Sequence, residues 1–154
     1  MAKILIADDE ELIRKLIGDC LIKNGHTVIE AEDGEKALNL FRKNPDINLA
    51  LLDIMMPEID GVETTHIIRR FHKEYDEVPI IALTANAVSG IKEMFIKEGM
   101  NDFIAKPIKV KENITIICSS VVKNVVPKKI RLFNKLNYNN TYTFILYLFY
   151  FFVK

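Results

Sequence analysis

Short apolar runs alternate with stretches of helix-spaced apolar residues from residue 3 to about residue 126. Lys3–Ala7 is an apolar run that stops at Asp8-Asp9. Beyond it Leu12, Ile13, Leu16, Ile17, Cys20 and Leu21 recur at the spacing of one helical face, and Asn24-Gly25 supplies a stop. Residues 26–31 predict a second strand. Asp33 then caps a helix with Ala37, Leu38, Leu40 and Phe41 on its core face, ended by Asn44-Pro45. Residues 49–52 are continuously apolar and halt at Asp53, as a strand buried on both faces would. Pro57 and Asp60-Gly61 mark a loop, and residues 62–71 a helix with Ile67, Ile68 and Phe71 inward. Residues 78–83 form a further apolar strand ending at Thr84, and residues 89–98 a helix closed by Gly99. Asp102–Ala105 predicts a short last strand, ending at Lys106-Pro107. Val110, Ile114, Ile117, Cys118, Val121, Val122 and Val125 keep helical spacing as far as Pro127, although β-branched side chains suit a helix poorly.

Five strand–helix units in strict alternation predict an α/β fold, with an open parallel sheet and about five helices on its two faces. The flavodoxin-like, doubly wound order 2-1-3-4-5 is taken over from known sheets of this kind. Such sheets bind ligands beyond the carboxyl ends of their strands. The residues standing there are Asp8, Asp9, Asp53, Thr84 and Lys106, each following an apolar run.

In that order the first and third strands are neighbours, so Asp8, Asp9 and Asp53 converge. Two carboxylates ~5 Å apart repel by roughly 3 kcal/mol at an effective dielectric of ~20, so compensation is required. Lys106 brings one positive charge. An all-oxygen donor set suits Mg²⁺, which accepts one or two carboxylates together with a phosphate oxygen. A carboxylate beside such an ion can act as a nucleophile toward phosphorus. Asp53 is the preferred nucleophile, since it ends the central buried strand and a loop follows it. Lys106 and the Thr84 hydroxyl would each bind a phosphoryl oxygen. Asp8-Asp9 alone would read as a helix cap, Thr84 alone as a turn residue and Lys106-Pro107 alone as a loop; only the set decides.

Five stretches carry a resemblance: Ile4-Leu5-Ile6-Ala7-Asp8-Asp9-Glu10, Leu51-Leu52-Asp53-Ile54-Met55-Met56-Pro57, Asp60-Gly61, Ile81-Ala82-Leu83-Thr84-Ala85 and Asp102-Phe103-Ile104-Ala105-Lys106-Pro107. Together they resemble the receiver domain of bacterial two-component response regulators. The wording around Ala85-Asn86-Ala87 and residues 103–108 is most similar to receivers of hybrid sensor histidine kinases. The resemblance implies that Asp53 is phosphorylated by a sensor histidine kinase or histidine phosphotransfer protein. It further implies that Asp9 and Asp53 ligate Mg²⁺ by side chain, Met55 by its backbone carbonyl and Asp8 through water. Lys106-Pro107 would be a cis peptide, and Phe103 the rotating aromatic that reports the state of Thr84; an inward core role for Phe103 stays open. Output would pass by contact with a protein that the sequence does not identify.

A rival reading is a Mg²⁺-dependent phosphohydrolase on a similar sheet. Turnover there calls for a second acid two residues past the nucleophile, and that position is Met55.

Composition narrows the partners. Lys and Arg balance Asp and Glu at 21 each, which gives no bulk electrostatic case for nucleic acid or anionic lipid. Cys20 and Cys118 lie far apart with no neighbouring ligand and read as buried reduced thiols. His66 and His72, among Arg69, Arg70 and Lys73, read as part of a solvated face. The start lacks the features of a signal peptide, so a cytoplasmic address is the default. A methionine immediately before the first strand leaves a stand-alone receiver and a detached piece of a hybrid kinase as equal expectations.

Residues 1–122 are expected to form the receiver and residues 123–154 an atypical Asn-rich and aromatic tail outside it. More than half of the aromatic residues lie between Tyr138 and Phe152. About twelve apolar residues would span only ~18 Å as a helix, short of a ~30 Å hydrocarbon core, so no membrane span is expected. Asn, Ile, Lys, Phe and Tyr are what AT-rich DNA encodes out of frame, and a frameshift near residues 111–125 would account for the tail.

Overall fold

Side chains alternate across a strand, and the buried residues of this chain sort by that alternation. The computed structural model describes residues 1–71, 77–109 and 117. The strands are β1 (Lys3–Ala7), β2 (Thr27–Ala31), β3 (Ile47–Asp53), β4 (Ile80–Thr84) and β5 (Asp102–Ala105). All neighbours pair in parallel, in the order β2-β1-β3-β4-β5. The helices among the described residues are α1 (Glu11–Lys23), α2 (Gly34–Lys43), α3 (Gly61–Phe71) and α4 (Ile91–Lys97).

Leu5, Ala7, Ala50, Leu52, Ile80 and Ala82 face one side of the sheet, where Ala37, Leu38 and Phe41 of α2, Ile68 of α3 and Phe95 of α4 cover them. Ile4, Ile6, Leu49, Leu51, Ile81 and Leu83 face the other side, against Ile17 and Leu21 of α1 and against Ile117. Residues 4–7, 49–52 and 80–83 are therefore apolar without a break, because each face of the sheet has its own helical layer. The fifth helix lies outside the described residues, apart from Ile117, which is helical and buried. Cys118, His72 and residues 123–154 also lie outside them.

The sequence pattern overstates the buried face of α1. Ile17, Gly18 and Leu21 are buried, whereas Leu12 is 81% and Leu16 is 45% exposed. The helix meets the sheet along a narrow line at Gly18, where a Cβ would already touch Glu30, Val28 and Ile6. Residues a turn away from that line stand clear of the sheet. Cys20 is a free thiol, as expected, but only half-buried. In α2 the Asp33 side chain accepts a hydrogen bond from Lys36 N at 2.6 Å, so the cap forms as read.

Two glycines bring the β3–α3 loop under the site. A Cβ on Gly61 would collide with the Asp53 carbonyl oxygen, and one on Gly34 with the Ile59 carbonyl oxygen and the Thr64 hydroxyl. Asp60 caps α3 by accepting from Glu63 N at 2.7 Å. The loop after β3 is thereby folded tightly back against that strand's end.

Candidate phosphoacceptor and metal site

The carboxyl ends of β1, β3, β4 and β5 lie side by side, and each delivers a polar residue. Asp8 and Asp53 are buried, Asp9 is exposed, and one carboxylate oxygen from each lies within 4.8 Å of the others. Asp8 Oδ1 accepts from Glu10 N at 2.9 Å, and Asp53 Oδ1 from Met55 N at 3.3 Å. These local bonds fix the carboxylates at the starts of the two following segments.

Lys106 supplies the counter-charge. Its Nζ lies 2.8 Å from Asp53 Oδ2, 2.9 Å from Asp8 Oδ2 and 3.3 Å from Glu10 Oε1. The contact to Asp53 is a hydrogen bond, while Asp8 Oδ2 is close to the ammonium but accepts no aligned hydrogen bond. Burial raises the Asp8 pKa above the ordinary carboxylate value; the adjacent Lys106 ammonium and the hydrogen bond from Glu10 N oppose that, and the Asp53 charge adds to it. Burial works against the Lys106 charge, but the hydrogen bond to Asp53 and the attraction of the Asp8 and Asp53 carboxylates outweigh it and hold the ammonium pKa above that of an ordinary lysine. One lysine facing three carboxylates leaves the site net negative. A buried carboxylate oxygen without a hydrogen bond, next to two further acids, fits a hard divalent cation that takes oxygen ligands.

Thr84 is buried at the end of β4. Its Oγ1 donates to Asn86 O and accepts from Asn86 N, both at 3.1 Å, so the hydroxyl is engaged with the β4–α4 loop. Lys106 N donates to Thr84 O at 2.7 Å, which ties the ends of β4 and β5 together. The Lys106-Pro107 peptide is cis. Phe103 is half-buried and packs tilted against Phe95, with ring centroids 6.1 Å apart. The Met55 side chain is 74% exposed at the rim. The structure thus brings Asp8, Asp9, Asp53 and Lys106 into one cluster, with Thr84 bound to its edge through the backbone and Phe103 on the α4 side.

Three features escaped the sequence reading. Glu10 reaches Lys106, Arg14 donates to Asp8 O at 2.6 Å, and Arg69 is a structural tie rather than part of a solvated face. Arg69 donates to Gly99 O, Val78 O and Asn101 Oδ1, while Asn101 Oδ1 also accepts from Ile80 N. His66 pairs with Glu98 at 2.7 Å. For Glu10 the available signal was its place beside Asp8-Asp9; nothing local pointed from Arg69 to Asn101.

The model of the response regulator receiver domain matches residues 4–117. The chain belongs to that family. Its fold agrees with that of a solved receiver domain from a Pseudomonas aeruginosa sensor histidine kinase, with a TM-score of 0.69 and 33% identity over 78% of this chain and 97% of that one. That structure has a magnesium ion coordinated in its active-site cleft. A chemotaxis protein CheY homolog of Campylobacter jejuni is 36% identical over 68% of this receiver and 81% of its own length. A hybrid signal transduction histidine kinase of Dictyostelium discoideum is 38% identical over 128 residues, 80% of this chain but 7% of the kinase. The receiver therefore corresponds to a small part of that longer relative. Receiver domains are signalling modules of two-component systems, and no helix among the described residues is long and apolar enough to cross a membrane.

Proposed function

We propose that this receiver accepts a phosphoryl group on Asp53 from a histidine kinase or a histidine phosphotransfer protein, and passes the signal on by protein contact. The observation that carries the reading is the meeting of Asp8, Asp9, Asp53 and Lys106 at the strand ends. Asp9 and Asp53 would hold Mg²⁺ directly, with the Met55 carbonyl as a further ligand and Asp8 acting through water. A bound Mg²⁺ would neutralise charge on the transferring phosphoryl oxygens.

In the transfer, an Asp53 carboxylate oxygen attacks phosphorus and the donor's P–N bond breaks. The electron pair of that bond returns to the imidazole nitrogen of the donor histidine, leaving an aspartyl-phosphate. Lys106 balances charge on one phosphoryl oxygen. Thr84 exchanges its bonds to Asn86 for another phosphoryl oxygen, which would shift Phe103 and the face around α4 and β5. A hydrolase needs an acid where Met55 stands, so the aspartyl-phosphate is a state rather than a turnover intermediate. The working unit is residues 1–122.

Incubation of the chain with acetyl phosphate and Mg²⁺ should add one phosphate, seen by intact-mass spectrometry. Asp53→Asn should reduce uptake to background. Uptake undiminished in that variant would move the acceptor elsewhere and end this reading.

A further inference from the structure

Glu10 occupies the N-cap position of α1, yet its side chain makes no capping hydrogen bond. Glutamate is outside the group of residues favoured there, since Ser, Thr, Asp and Asn place their oxygen within reach of the first free amides. Instead the carboxylate reaches across the mouth of the site to Lys106, 3.3 Å away and 96 positions along the chain. An ammonium has three protons to donate. Asp53, Asp8 and Glu10 all stand within 3.3 Å of this one. Asp8 and Asp53 are buried, so their claims on Lys106 are fixed by the fold, whereas Glu10 is an exposed competitor at the entrance.

We propose that Glu10 is a positioning residue that tethers the Lys106 ammonium in the resting receiver and so slows phosphoryl uptake. The inference rests on the phosphoacceptor reading of Asp53. While Glu10 holds Lys106, an incoming phosphoryl oxygen must displace a carboxylate to gain the lysine's proton, and it meets an additional negative charge on the way in. Releasing the tether leaves a donor free for the phosphoryl group. Glu10 thereby sets how readily the site accepts an anionic donor, without touching the nucleophile.

Two substitutions separate a tether from a mere charge. Glu10→Gln removes the charge at nearly constant shape. Glu10→Asp keeps the charge but shortens the side chain and makes it a good helix cap, turned toward the α1 amides and away from Lys106. In the chain of residues 1–154 at low salt with acetyl phosphate and Mg²⁺, both variants should take up phosphate about 2- to 5-fold faster than the unaltered chain, the range of an exposed ion pair. Glu10→Asp should also melt at a higher temperature, which a loss of structure would not produce. At ~1 M salt the three rates should draw together, because screening weakens the tether in the unaltered chain. Glu10→Asp reacting at the unaltered rate, or Glu10→Gln reacting no faster, overturns the tether. No phosphate on the unaltered chain overturns the acceptor reading itself, and the tether with it.

Discussion

Single side chains in this molecule are legible from the sequence when they interrupt a pattern. Asp53 is conspicuous because it follows four apolar residues, and Asp8 and Lys106 stand out in the same way. Glu10 and Arg69 are not conspicuous, because each finds its partner through the fold and a charged residue on a helix has an ordinary solvated reading. His26 is a further case. It sits in the α1–β2 turn with Nδ1 buried and without a hydrogen bond. Burial, then the nearby N-terminal ammonium, lowers its pKa below the ordinary value of 6.5. As pH falls, the unfolded chain therefore binds this proton before the folded one does. The stability that neutral His26 permits is complete above pH 6.5 and is lost through the interval below it. Urea midpoints between about pH 7.5 and 5.5 should fall more for the unaltered chain than for His26→Gln. Parallel lines for the two proteins would refute the assignment.

At the scale of elements, periodicity located every described strand and helix, but it misjudged how much of each was covered. Strands β3 and β4 were easy because both of their faces are packed, so residues 49–52 and 80–83 are apolar without a break. Helix α1 was harder, because six apolar positions suggested a broad buried stripe where the sheet accepts a narrow one. This gives a contrast that thermal melts can measure. Leu12→Ser should change stability by no more than about 0.5 kcal/mol, as exposed sites do. Ile17→Ala, five residues further on, should cost about 2–4 kcal/mol for the cavity it leaves. Equal losses at the two positions would mean that α1 is seated differently on the sheet. Gly61 and Gly34 were visible only as turn or helix-start residues; that each lets a neighbouring carbonyl approach belongs to the packing of α2, α3 and the β3 end.

For the whole molecule, the strand count and the parallel direction followed from alternation, while the order of strands had to be borrowed from known sheets. No local feature says that β1 lies beside β3, yet that adjacency makes the site. Three acids and one lysine in a small volume predict a response to divalent cations. Mg²⁺ should raise the melting temperature, and at a hundredfold excess over its dissociation constant the gain is ~2.7 kcal/mol. Asp9→Asn, which removes an exposed carboxylate and leaves Lys106 paired, should blunt that rise. A melting curve indifferent to Mg²⁺ would sink the metal assignment. The position of Lys106 also has a consequence for synthesis. The ribosome delivers Asp8 and Asp53 well before the residue that balances them, since Lys106 follows Asp53 by 53 positions. A nascent chain that has made β1 to β4 thus carries its acids uncompensated, and the residue that follows β5 brings the cation that lets them stay together.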